Sequence, residues 1–269
     1  MTDFLHRDDA PFGDDVWEKI DEAVVGAAKS QLSARRLFHT EGPYGLGLKA
    51  LPGADVVLTE EDDMTAAVEG SCVIPLAVVR KTFSLAIRDI AAYQKTGIPF
   101  NLRNAAHAAI ACAKREDDIL FNGSDDLGVA GLLNIGGTES AELGAWEEVG
   151  DALETVMCAA NVLDDAGFHG PYALALSPDR YNLLFRRYER GPMIEIEHLK
   201  SLVTGGIVKA PALENGGMLI ASGRQFCTVV LGQDLQAGFI GPADGVYEFD
   251  LAESVALRLK HPGSICVLK

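Results

Sequence analysis

The stretch from Gly45 to Ser71 constrains the fold most. It is rich in glycine and acid, and Thr59–Asp63 is strongly polar. Short runs such as Ala54–Leu58 alternate, but no apolar stripe is long enough to fold against itself. Such a segment reads as an extended arm or long hairpin.

The rest of the chain can build a core. Apolar residues make up 48% and charged residues 23% of 269 residues, which excludes a disordered chain. A net charge of −16 argues against a nucleic-acid partner and against docking on an anionic membrane. No apolar run approaches the roughly 18 residues needed to span a bilayer. Met1–Asp15 carries five Asp and no apolar centre, unlike an export signal. The five cysteines are spaced without a CxxC pair, which suits a reducing compartment. Asn122-Gly123-Ser124 then reads as a turn rather than a glycosylation site.

Helical spacing of Trp17, Ile20, Val24, Ala28 and Leu32 predicts a helix over Asp15–Leu37, with Asp15 and Glu18 as a capping-box variant. Val73–Ile90 reads as strand. Leu102–Phe121 reads as a second helix, apolar at Ala106, Ile110, Ala113 and Leu120 and polar at Arg115–Asp118, and closed by Asn122-Gly123. A third helix is expected over Ala145–Ala166, then a strand over Tyr172–Leu176 and a helix capped by Ser177-Pro178. Met193–Val203 reads as helical. Strands are expected at Met218–Ala221, Phe226–Leu231, Ala237–Ile240, Tyr247–Asp250, Val255–Lys260 and Ile265–Leu268. The fold class is α+β.

The chemistry-bearing motifs are absent. No phosphate loop, nucleophile elbow or HExxH occurs, and Gly42-x-x-Gly45-x-Gly47 follows a helix rather than a strand. The six histidines lack metal-ligand spacing. Asp117-Asp118 and Asp125-Asp126 could hold acid–base or Mg²⁺ chemistry, but a solvated helix face and a turn explain them better. Cys112 lies near an apolar stripe and reads as core. No catalytic residue and no metal site are expected, so the chain is read as a non-enzyme.

A series of short motifs runs along the chain. It begins with Phe4-Leu5-x-Arg7-x-x-Ala10-Pro11, Trp17-x-x-Ile20-Asp21, Gln31-Leu32-x-x-Arg35 and Glu41-Gly42-Pro43-Tyr44-Gly45. It continues with Glu116-Asp117-x-Ile119-x-x-Asn122-Gly123, Gly128-Val129-x-Gly131-Leu132-Leu133, Gly170-Pro171-Tyr172-x-Leu174 and Leu231-Gly232-Gln233-Asp234-Leu235. Each is weak alone. Their order and spacing resemble the encapsulin shell proteins, the linocin-like family.

The resemblance implies the tailed-phage major capsid protein fold. A discontinuous peripheral domain would comprise 1–44, 73–130 and 225–269, an extended loop 45–72, and an axial domain 131–224. It implies a cytoplasmic icosahedral nanocompartment, the smallest shell being expected, that encloses a cargo enzyme through the cargo's C-terminal targeting peptide. Ferritin-like iron oxidases and dye-decolorising peroxidases are the usual cargoes, with iron storage favoured on frequency. The alternative is a phage or prophage capsid packaging DNA. Carried over by position, Arg35, His39, Leu231, Gly232, Gln233, Asp234 and Leu235 would bind the cargo peptide. Tyr188, Glu189, Arg190, Gly191 and Pro192 would line the fivefold pore. Some relatives stack a flavin on an aromatic residue just after the Phe83 strand; Arg88 stands there, so no flavin and no other cofactor is expected.

Overall fold

The computed structural model describes residues 4–59, 66, 68–189 and 192–269. In chain order its helices are α1 (Asp14–Gln31), α2 (Ala34–Leu37), α3 (Ile87–Thr96), α4 (Arg103–Asn122), α5 (Asp151–Asp165), α6 (Pro178–Leu183) and α7 (Glu195–Leu202). The strands begin with β1 (His39–Glu41), β2 (Ala50–Thr59), β3 (Val68–Pro75), β4 (Ala77–Ala86), β5 (Gly123–Ser124), β6 (Val129–Ala130) and β7 (Glu139–Ala141). They continue with β8 (Tyr172–Leu176), β9 (Ile207–Lys209), β10 (Gly217–Ala221), β11 (Cys227–Leu231), β12 (Gln236–Ala243), β13 (Val246–Leu259) and β14 (Ile265–Leu268).

Strand β13 is the backbone of the first sheet. β4 lies antiparallel along one edge, from Val246↔Ala86 to Val255↔Ala77. The other edge is shared: β12 takes its first half, and β11 its second half, with β1 parallel beyond. The turn 232–235 therefore falls where one neighbour of β13 ends and the next begins. α1 and α4 cover this sheet with a core of Trp17, Ile20, Ala109 and an aromatic cluster, in which Phe83 stacks on Phe249 at 4.9 Å.

The second sheet runs β7-β14-β10-β8-β9, and its Leu174 and Leu219 pack with Leu163 of α5 and Leu199 of α7. A further core of Ala173, Met218, Ile220, Val229 and Val255 joins the two sheets. Strand β14 belongs to this second sheet, antiparallel to β10, so the segment 225–269 contributes to both sheets. β2 and β3 form the expected hairpin, paired from Ala50↔Pro75 onward.

Several boundaries differ from the sequence reading for local reasons. α1 is capped at Gly13, not by an Asp15–Glu18 box, and it stops at Gln31 before the separate turn α2. The β4 strand ends at Ala86 rather than Ile90. Ile87 opens α3, which buries Ile90 and closes on Gly97 at φ 70°. The third helix starts at Asp151, since Trp146 is buried in an irregular loop with its indole donating to Thr155 at 2.9 Å. Ser177 precedes α6 but its hydroxyl makes no capping bond. Tyr247–Asp250 and Val255–Lys260 are parts of one strand, β13, bridged by the buried Glu253 and Ser254.

The acidic pair on α4 is split: Asp118 lies at the surface beside Arg115, as a solvated face would have it, and Asp117 does not. Asp117 is 3% exposed and caps α2 across the fold. It accepts from Ser33 N at 2.7 Å, Ser33 Oγ at 2.6 Å and Ala34 N at 3.1 Å. Burial pushes its carboxyl up from the ordinary range, while these donors pull it back. Asp117→Ala should cost about 2 kcal/mol, because two backbone donors and a hydroxyl lose their partner inside the protein. Thermal melting of the purified variant checks this; an unchanged melting temperature would show the cap to be dispensable.

Candidate docking turn and pore-loop surface

The turn 232–235 is fixed by backbone bonds before any ligand is considered. Gly232 N donates to Ser254 O at 2.9 Å, and Ser254 N donates to Gln233 O at 2.9 Å. The Ser254 hydroxyl accepts from Gln233 N at 2.8 Å. From the other side Gly45 N reaches Gly232 O at 2.6 Å. A Cβ at Gly232 would overlap Ser254 Oγ and meet Leu76 Cδ2 at 2.8 Å, so only glycine fits.

The candidate peptide-binding residues divide between core and surface. Leu231 is 3% exposed and belongs to the core between the sheets, and Gly232 is buried. Both offer backbone already in use. Leu235 is half-buried against the α1 core. His39 is exposed at the start of β1, opposite Thr228. Gln233 reaches a cleft of about 510 Å³ between the N-terminal segment and β12, lined also by Phe4, His6, Phe239 and Ile240. The N-terminal wall is secured: Phe239 N donates to Leu5 O at 2.8 Å, Arg7 pairs with Asp21 at 2.8 Å, and its guanidinium lies 4.5 Å over Trp17.

Arg35 is brought to the same turn, but as the centre of a buried ion cluster. Its Nε and Nη2 fork onto Glu116 at 2.8 and 2.6 Å. Nη2 also donates to Glu253 at 2.8 Å, and Nη1 to Asp234 at 2.7 Å. The Arg35 side chain is 16% exposed, Glu116 0% and Glu253 1%, whereas Asp234 is 50% exposed. Asp234 in turn accepts from Leu235 N at 2.9 Å. These anions hold the guanidinium firmly protonated against the opposing effect of burial. Burial and Glu116 push Glu253 up to about 9.

Glu116, Glu253 and Ser254 escaped the sequence reading. One signal was available: Glu253 and Ser254 interrupt the apolar run Leu251–Leu257, and a charge inside such a run needs a buried partner. Cys112 is buried as expected, and its thiol is pushed up to about 12, first by burial and then by Glu253. Burial and the raised thiol agree with a core side chain.

The second candidate surface lies at the end of α6. Arg187 and Ile194 bridge antiparallel, and Tyr188 N donates to Met193 O at 3.4 Å. Tyr188, Glu189 and Pro192 line a cavity of about 960 Å³ with Glu147, Glu148 and His198. Arg190 and Gly191 lie outside the described residues. The base of this loop is rigid. Glu195 is fully buried and caps α5 by accepting from Gly150 N at 2.9 Å and Ala152 N at 3.1 Å. Arg186 binds Glu195 at 3.5 Å and donates to Trp146 O at 2.8 Å. Among the described residues no cluster could hold a metal ion, and no helix is long and apolar enough to cross a membrane.

Two mixed layers on a long spine helix, with a two-stranded hairpin whose base packs on β11 and β13, are the architecture of a capsid-type shell subunit. A solved virus-like particle from Pyrococcus furiosus superposes with a TM-score of 0.73 at 23% identity, covering 94% of this chain and 99% of that one. The capsid of the myovirus phage XM1 gives 0.57 at 13% identity, over 87% and 90% of the two chains. A family profile, linocin M18, described as encapsulating protein for peroxidase, matches residues 1–256. The type 1 encapsulin shell protein EncA of Myxococcus xanthus is 30% identical over 100% of this chain and 97% of its own length. A diheme-cytochrome–encapsulin shell fusion protein of Kuenenia stuttgartiensis is 32% identical over 94% of this chain and 72% of its own. The chain belongs to the encapsulin shell-protein family.

Proposed function

We propose that copies of this chain close into the smallest icosahedral shell in the cytoplasm and hold a cargo enzyme by the cargo's C-terminal peptide, without catalysis by the shell. The observation that carries this reading is the match to dedicated shell proteins over nearly the whole chain. Relatives described as fusions of a shell with a diheme cytochrome or a ferritin-like domain support an enclosed redox or iron cargo. They favour this reading over a phage capsid packaging DNA. No nucleic acid is needed as partner, and the charge of −16 agrees.

In this reading the peptide lies extended across the Gln233–Leu235 face, with apolar side chains in the cleft beside Phe4 and Ile240. Arg35 and His39 border it, and Leu231 and Gly232 supply its floor. The loop Tyr188–Pro192, including Arg190 and Gly191, rings the fivefold pore. Affinity per peptide is modest, since ordering a flexible tail offsets apolar gain, and a multimeric cargo restores it by avidity.

Ile240→Asp and Leu235→Asp test the groove. Ile240 is 53% exposed, so its change leaves the subunit intact while placing a charge against the peptide. Shells coexpressed with a fluorescent protein ending in the tail of the neighbouring-gene cargo should assemble normally and lose about tenfold or more of their load. Assembly is read by light scattering and loading by co-eluting fluorescence. Intact, fully loaded Ile240→Asp and Leu235→Asp shells would place the peptide elsewhere.

A further inference from the structure

The Arg35 cluster holds more negative charge than its single guanidinium balances. Glu116 from α4, Glu253 from β13 and Asp234 from the turn all bind it, and two of these carboxylates converge on the same nitrogen, Nη2. Glu253 Oε1 is buried without any hydrogen-bond partner. A charged oxygen in that position is costly, whereas a protonated carboxyl is neutral and can donate to a neighbouring carboxylate. Glu116, bound to the same Nη2, is the carboxylate beside it.

We propose that Glu253 carries a proton at neutral pH and, with Glu116, acts as a positioning pair. Its proton keeps Arg35 bound to Asp234 and so holds the Asp234–Leu235 end of the turn, which the bonds to Ser254 do not reach. The importance of that end rests on the docking reading above; the latch itself does not.

The charged groups that face the pair are Arg35 from α2, Asp117 from α4 and Asp234 from the turn. The neutral thiol of Cys112 on α4 also lies beside both glutamates, and Asp250 of β13 and Lys81 of β4 act on that thiol. Arg35 is the cation that binds the carboxylates directly. Loss of the proton would leave Glu116 and Glu253 both charged around it. The guanidinium is then drawn inward to the buried pair, and the half-exposed Asp234 is the partner it gives up.

The sign follows from the two states. An unfolded glutamate releases its proton near 4.5, and Glu253 in the folded chain releases it near 9. The folded chain therefore holds the extra proton across that window, and this group's contribution to stability falls as pH rises through it.

Hydrogen exchange of assembled shells tests the latch without any cargo. The probe is the amide of Leu235, which donates to Asp234, corrected for the intrinsic rise of exchange with pH; the amides of Gly232 and Gln233, held by Ser254, serve as references. In wild type the Leu235 protection should fall as pH rises, by up to about tenfold per pH unit, and level off above about 9, where Glu253 has lost its proton. Glu253→Gln keeps the neutral state at every pH and should hold protection flat. Protection that stays flat in wild type, or falls equally in Glu253→Gln, would overturn the latch. Should Glu253→Gln fail to assemble, infrared spectra of wild-type shells decide. A protonated-carboxyl band present near neutral pH and lost at high pH supports the latch, and its absence at neutral pH overturns it. Loading of the tailed fluorescent protein is followed separately. Full loading in shells whose turn has lost its protection would overturn the docking reading and leave the latch standing.

Discussion

Val73→Asp should convert a megadalton particle into free subunits of 28.7 kDa. The chain alone exposes 14456 Å², against about 11,000 Å² for a compact protein of its mass. Among the described residues, exposed valines gather on and beside the hairpin. Val73 on β3 is 66% exposed, Val68 50%, and Val78 on the adjoining β4 60%. Because Val73 is exposed, an aspartate there costs the subunit at most about 1 kcal/mol of strand preference. At an interface the same carboxylate is desolvated in every repeated contact, at several kcal/mol each. Size-exclusion chromatography with light scattering reads the result, and circular dichroism verifies the fold. A wild-type chain found only as monomer or dimer would remove the shell; particles of full size from Val73→Asp would remove this face from the interface.

What the sequence disclosed follows the range of the forces involved. Tyr172–Leu176 and Ile265–Leu268 were read to the residue, because each is a short apolar run closed by local breakers. The arm was legible as a hairpin because it lacked any stripe of its own. The motif series named the family because it reports ancestry along the whole chain. The ion cluster was invisible for the opposite reason. Arg35 meets its partners 81, 199 and 218 positions away, and Asp117 meets Ser33 across 84. Periodicity sees a polar face on α4, and only the fold decides that this face turns inward. The same blindness split β13: Glu253 and Ser254 look like a break in a strand until the groups they bind are in view.

The family resemblance placed Arg35 among the cargo-binding residues, yet its donors point at Glu116, Glu253 and Asp234. A residue that only touched a ligand could be removed at little expense to the subunit. Arg35→Ala should instead cost roughly 3–5 kcal/mol, because it leaves the buried Glu116 without its cation and Glu253 without its donor. Against a total stability of about 5–15 kcal/mol that is a large fraction, and melting should fall by roughly 10 °C. Arg35→Lys keeps the charge but not the planar fork that serves three carboxylates, so it should recover only part of the loss. Replacing Arg35, Glu116 and Glu253 together by Met, Leu and Leu should restore most of the stability, since a packed apolar trio avoids the desolvation penalty altogether. The triple variant still lacks the tether on Asp234, so its shells should assemble and load poorly. Calorimetry of the three variants reads stability, and co-eluting fluorescence reads loading. If Arg35→Ala melts with wild type and loses only its cargo, the residue belongs to the groove rather than to the frame that shapes it.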